Sequence, residues 1–147
     1  MLLALLFCGV FELANACSCI GVTDHSKYCN SEFAIIGKVL SSRVNPAEFE
    51  MYYTVKVVFV FKNQNSSRKI RRGSIVTIGT RSQSSLCGIT GLQNGNEYLL
   101  TGSNRPESGL QIASCDSWIS NWADVSVEDK RRLRRKGIVC ALTSSSA

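Results

Sequence analysis

Between Met51 and Phe61 the chain reads MYYTVKVVFVF, in which Tyr53, Val55, Val57, Phe59 and Phe61 recur with a period of two while Thr54 and Lys56 begin the other face. This alternation predicts a strand with one buried side. Phe33–Leu40 (FAIIGKVL) predicts an earlier strand, with Gly37 at a bulge or bend. After it, Ser41 to Glu50 reads as a short loop. The polar loop KNQNSSRKIRRG leads to a strand at Ser74–Ile78, and the turn signal Asn94-Gly95-Asn96 leads to another at Glu97–Leu100. Leu110–Ala113 completes the set.

Five strands, one of them long enough to curl, fit a mainly β fold built as a small OB-like barrel, although strand count alone leaves a sandwich open. Helical signals flank the strands. Asp24 to Ser31 has room for one or two turns, and Ser126 with Asp129 three residues on forms a capping-box-like start to a longer helix. Glu128 and Asp129 sit near its positive end. Lys130, Arg131, Arg132, Arg134, Arg135 and Lys136 crowd the negative end before Gly137, which is expected to stop it. The run reads either as a solvated face complementing its own dipole or as a polyanion-binding patch.

Before this domain stands MLLALLFCGVF, then Glu12, Leu13 and the small-x-small pattern Ala14-Asn15-Ala16. An apolar run of this length followed by such a site predicts a secretory signal over 1–16, cleaved to leave Cys17 as the first residue of a 17–147 domain whose tail, 143–147, frays. Of seven cysteines, Cys8 falls in the signal. The even remainder, in an exported chain, predicts three disulfides in any of fifteen pairings. No C-x2-C pair is present and His25 is the only histidine, so a structural zinc site is disfavoured. His25 reads as a surface residue. Asn65-Ser66-Ser67 is a glycosylation sequon.

The formal charge is +6, from 17 Lys and Arg against 11 Asp and Glu, and it rises by one when Glu12 leaves. A basic exported chain favours heparan-type glycosaminoglycans over nucleic acid as an acidic partner. An enzyme is disfavoured: the lone histidine has no free thiol to activate, and the acids show no paired arrangement. No cofactor of its own and no membrane span are expected.

The cysteine spacing carries more. Cys17-Ser18-Cys19, Cys29-Asn30-Ser31, Ser85-Leu86-Cys87-Gly88, Glu97-Tyr98-Leu99-Leu100 with Gly102, Leu110-x-Ile112-x-x-Cys115, Trp122 and Cys140 together resemble the amino-terminal, netrin-like domain of the tissue inhibitors of metalloproteinases. The resemblance covers essentially all of 17–147. It implies a five-stranded OB-like barrel with flanking helices and the disulfides Cys17–Cys87, Cys19–Cys115 and Cys29–Cys140. It also implies a secreted, monomeric inhibitor of zinc metalloendopeptidases, matrix metalloproteinase-like or related metzincins. In such inhibitors the free α-amine and carbonyl of the first cysteine chelate the catalytic zinc of the protease, a role that falls to Cys17 here. Ser18 would enter the specificity pocket, Cys19 and Ile20 would continue along the primed side of the cleft, and Ser85, Leu86 and Cys87 would fill the unprimed side.

Departures from the family pattern are specific. The prolines that commonly follow the paired cysteines are replaced by Gly21-Val22-Thr23-Asp24, and the acid often found before the mid-chain serine is Ser84. The chain ends seven residues after Cys140, so the family's second domain and the contacts it makes are not expected. The rival reading is a netrin-like module that binds matrix or a secreted partner and inhibits nothing, since fold does not fix function.

Overall fold

The computed structural model describes residues 17–64 and 70–140. The expected signal segment, Asn65 and the 143–147 tail lie outside them. The elements are α1 (Asp24–Asn30), β1 (Phe33–Asn45), β2 (Glu50–Asn63), β3 (Ile75–Arg81), β4 (Glu97–Arg105), β5 (Gly109–Gln111), β6 (Ile119–Asn121) and α2 (Val127–Arg134). The sheet order is β1-β2-β3-β5-β4-β6, and an added β1–β4 pairing closes the first five strands into a barrel. All pairings are antiparallel except β3–β5. The expected five-stranded barrel is therefore present, with β6 added outside the ring.

Both faces of β1 are covered. Phe33, Ile35 and Val39 point into a core shared with Tyr53, Val55, Val57, Ile78 and Leu100. Ala34 and Ile36 join a second cluster with Tyr28, Phe61, Leu99, Trp118 and Leu133, which packs the helices onto the barrel wall. Burial on both sides explains the run of apolar residues FAII, where a strand half open to water would alternate.

Two expectations about these strands change. Ser41 to Glu50 is not a loop: β1 and β2 continue to Asn45 and Glu50 around a tight turn in which the Phe49 amide donates to the Pro46 carbonyl. Nor does β2 keep one face throughout. Ile36 pairs with Phe59 and Gly37 with Val57, leaving Val58 as an extra residue, and Phe61 is skipped in the same way between Val60 and Lys62. Each extra residue turns the strand over. Phe59 therefore leaves the core and is 40% exposed, while Phe61 enters the second cluster. Gly37 does lie at the irregularity, where a Cβ would stand 2.4 Å from Val55 Cγ1.

The terminal helix starts as expected, with the Ser126 hydroxyl accepting from the Asp129 amide at 3.0 Å. Its stop differs. Lys136, with φ 53°, takes the left-handed position, and the Lys136 and Gly137 amides donate to the carbonyls of Leu133 and Arg132. Gly137 thus stands one residue beyond the position that favours glycine.

Three disulfides join Cys17 to Cys87, Cys19 to Cys115 and Cys29 to Cys140 across separations of 70, 96 and 111 residues. Among the fifteen pairings open to the sequence, these are the ones the family resemblance implies. Loops of this size are each worth about 4–5 kcal/mol in the chain-entropy account; because they overlap, the values do not add.

Candidate functional site

Three segments without regular strand structure meet at the first two disulfides. The opening segment, Cys17 to Val22, is fixed by bridges to Cys87 and Cys115. Thr23 then caps α1: its hydroxyl accepts from the Ser26 amide and the Ser26 hydroxyl accepts from the Thr23 amide, each at 3.1 Å. The segment is held at both ends. Ser18, Cys19 and Ile20 between these anchors are exposed, Ile20 by 87%.

The second segment is a tight turn, Ser84–Leu86, closed by the Leu86 and Gly88 amides donating to the Gln83 carbonyl and the Cys87 amide donating to that of Ser84. Cys87 lies in the left-handed region, φ 63°. Gly88 follows because nothing larger fits: an added Cβ would stand 2.0 Å from the Arg81 carbonyl oxygen. Downstream, the Ile89 amide donates to Thr80 Oγ1 at 3.0 Å and its carbonyl accepts from the Tyr53 hydroxyl at 2.8 Å. The turn is thereby clamped to β2 and β3, and burial raises the pKa of the Tyr53 phenol, keeping it a donor. Ser84, Ser85 and Leu86 project outward, Leu86 46% exposed.

The third segment carries Cys115. The Ser114 amide and hydroxyl both donate to the Cys87 carbonyl, at 2.9 and 3.2 Å, and the Trp118 amide donates to Thr101 Oγ1 at 2.7 Å. This fixes it to the second segment and to β4. The two bridges stack, with Cys17 Sγ and Cys115 Sγ 3.6 Å apart. The sulfurs of Cys17, Cys87 and Cys115 lie within 4.8 Å of one another, but each is in a disulfide and offers no thiolate to a metal.

The result is a double ridge without a charged side chain, Cys17–Ile20 beside Ser84–Cys87, joined by the Cys17–Cys87 bridge. All seven residues expected to touch a protease lie on it. Gly88 belongs to the Ser85-Leu86-Cys87-Gly88 motif read from the sequence, whereas Ser114, Thr80 and the Tyr53 hydroxyl, which also shape the ridge, carry no such signal.

Other expected residues lie elsewhere. His25 is more than a surface residue: its Nε2 is 2.8 Å from Asp129 Oδ1 and its ring packs on Trp118 with centroids 5.6 Å apart, tying α1 to α2. The basic run is not one array. Glu128 pairs with Arg131 and Arg132 at 3.3 and 3.0 Å, and Lys130 sits over the Trp122 ring, 5.0 Å from its centroid. Arg134, Arg135 and Lys136 are exposed and make no ion pair among the described residues. No helix among the described residues is long and apolar enough to cross a membrane.

A closed OB-type barrel with its amino-terminal segment bolted by stacked disulfides beside a mid-chain turn defines a netrin-like domain. The family profile described as "Tissue inhibitor of metalloproteinase" matches residues 15–145, and the chain belongs to that family. It is similar to metalloproteinase inhibitor 2 of Rattus norvegicus, 26% identical over 95% of this chain and 65% of the relative. It is also similar to metalloproteinase inhibitor 4 of Mus musculus, 29% identical over 81% and 54%. For metalloproteinase inhibitor 3 of Gallus gallus the identity is 25% over 84% and 56%. The chain thus spans less than two thirds of the length of these curated relatives.

Proposed function

We propose that the chain is an inhibitor of zinc metalloendopeptidases rather than an enzyme, and that it plugs the active-site cleft with the double ridge. The observation that carries this reading is the ridge itself: exposed, without a charged side chain and held by two stacked disulfides, it enters a cleft with little entropy left to lose. Cleavage after Ala16 frees the Cys17 α-amine. That amine, once deprotonated, and the Cys17 carbonyl would form a five-membered chelate on the protease zinc, displacing the water from the position a catalytic zinc keeps open and bringing the metal to five ligands. Ser18 enters the specificity pocket, Cys19 and Ile20 follow the primed side, and Ser85, Leu86 and Cys87 lie along the unprimed side. Family membership and the relatives' names, metalloproteinase inhibitors all three, support the activity.

The direct test is titration of a panel of matrix metalloproteinases and related metzincins with oxidised protein whose first residue, fixed by mass spectrometry, is Cys17. Saturable one-to-one inhibition of at least one enzyme is expected. Full activity of every enzyme at micromolar protein would instead leave a non-inhibitory netrin-like binding module.

A further inference from the structure

Two of the disulfides touch. Cys17 Sγ stands 3.6 Å from Cys115 Sγ, although Cys17 is bonded to Cys87 and Cys115 to Cys19. Cys87 Sγ belongs to the same cluster, its three sulfurs lying within 4.8 Å of one another. The loops that carry Cys87 and Cys115 are joined without the sulfurs, because the Ser114 amide and hydroxyl donate to the Cys87 carbonyl. Cys17 is tethered as well: Cys19, two residues on, is bonded to Cys115. The cluster therefore keeps its place when the Cys17–Cys87 bond opens. Cys29–Cys140 stands apart, its two sulfurs each 3.9 Å from a backbone carbonyl oxygen, of Val139 and of Ile138.

We propose that the cluster is a thiol–disulfide exchange site for a small monothiol of the glutathione class. The thiolate of that molecule attacks Cys87 Sγ, the Cys17–Cys87 bond breaks, and Cys17 leaves as a thiolate while Cys87 carries the mixed disulfide. The Cys17 thiolate is already in contact with Cys115 Sγ. It attacks there, a Cys17–Cys115 bond forms, the Cys19–Cys115 bond breaks, and Cys19 leaves as a thiolate that takes a proton from water. Two disulfides and one thiol enter and two disulfides and one thiol remain, so no further oxidant or reductant is needed. A dithiol would instead close on itself and leave Cys87 reduced. The exchange uncouples the opening segment from the turn Ser84–Leu86 and leaves a thiol on the exposed Cys19. It needs neither a free Cys17 amine nor a protease, so it stands independently of inhibition.

The test exposes the oxidised protein, under non-denaturing conditions, to reduced glutathione, quenches samples with N-ethylmaleimide and maps every sulfur by peptide mass spectrometry. The expected product carries glutathione on Cys87, the maleimide on Cys19 and a Cys17–Cys115 bridge. Although Cys140 is exposed, glutathione should accumulate at least about tenfold more on Cys87 than on Cys29 or Cys140, where the released thiolate has no second bridge to attack and closes again. In Cys19→Ser/Cys115→Ser the Cys17 thiolate likewise returns to Cys87 and expels glutathione, so the adduct should fall about tenfold from the parent. Maleimide on Cys17 with the Cys19–Cys115 bridge intact would overturn the relay. So would no more glutathione on Cys87 than on Cys29 and Cys140 in the parent, or an undiminished adduct in the double variant.

Discussion

Lys136 shows how one residue can hold a position that its neighbour's identity advertises. It adopts φ 53° at the end of α2 while Gly137, one step on, has no need of left-handed backbone. A side chain in that region costs about 1–2 kcal/mol, and a glycine there gives part of it back in unfolded-state entropy. Lys136→Gly is therefore expected to stabilise the protein by about 1 kcal/mol in urea unfolding, despite removing a cation from the helix end. Gly137→Ala should be nearly neutral, since its Cβ would approach nothing closer than the Arg132 carbonyl oxygen at 3.8 Å. The reverse ranking would mean that α2 stops at Gly137 after all. Lys62 is another residue whose task shows only in the fold. From β2 it donates to the carbonyls of Tyr28 and Cys29 at 3.0 and 3.1 Å, closing the end of α1, and burial pushes its ammonium pKa down.

Among the elements, the turn Ser84–Leu86 depends most on backbone contact. Gly88→Ala would drive a methyl group into the Arg81 carbonyl, and a backbone atom cannot rotate aside as a side chain can. A loss of about 1–3 kcal/mol is expected, with the strain released by shifting the turn. Inhibition should accordingly suffer more than barrel stability. Equal inhibition by Gly88→Ala and parent would show that the turn does not take part. The sequence revealed this site unevenly. Cys17-Ser18-Cys19 and Ser85-Leu86-Cys87 were legible as motifs, yet their pairing came only from the family resemblance, because spacing cannot choose among bridges. Period-two alternation located β2 but could not foresee the extra residue at Val58, so Phe59 was placed in the core. β6, with only Ile-Ser-Asn, is too short to carry a pattern. The Ser114 donors to Cys87 left no sequence trace, being set by where the barrel brings two distant loops.

At the scale of the molecule, the closed barrel and its disulfides hold the segment from Cys17 to Val22 in place. Cys17–Cys87 and Cys19–Cys115 anchor the opening segment to two loops that are themselves tied to β2, β3 and β4. Cys29–Cys140 and the His25–Asp129 contact hold α1, the next element along, against the segment that follows α2 and against α2 itself. A Cys17 held in this way serves the proposed function if cleavage after Ala16 makes its amine the ligand, and that is the central claim. The most direct measurement compares inhibition of one sensitive metalloproteinase by protein beginning at Cys17 and by the same protein with a single alanine added before it, the two having matching disulfides and thermal melts. The account predicts that the added residue, which replaces the amine with an amide and puts bulk into the cleft, abolishes inhibition. Equal inhibition constants for the two proteins would contradict it.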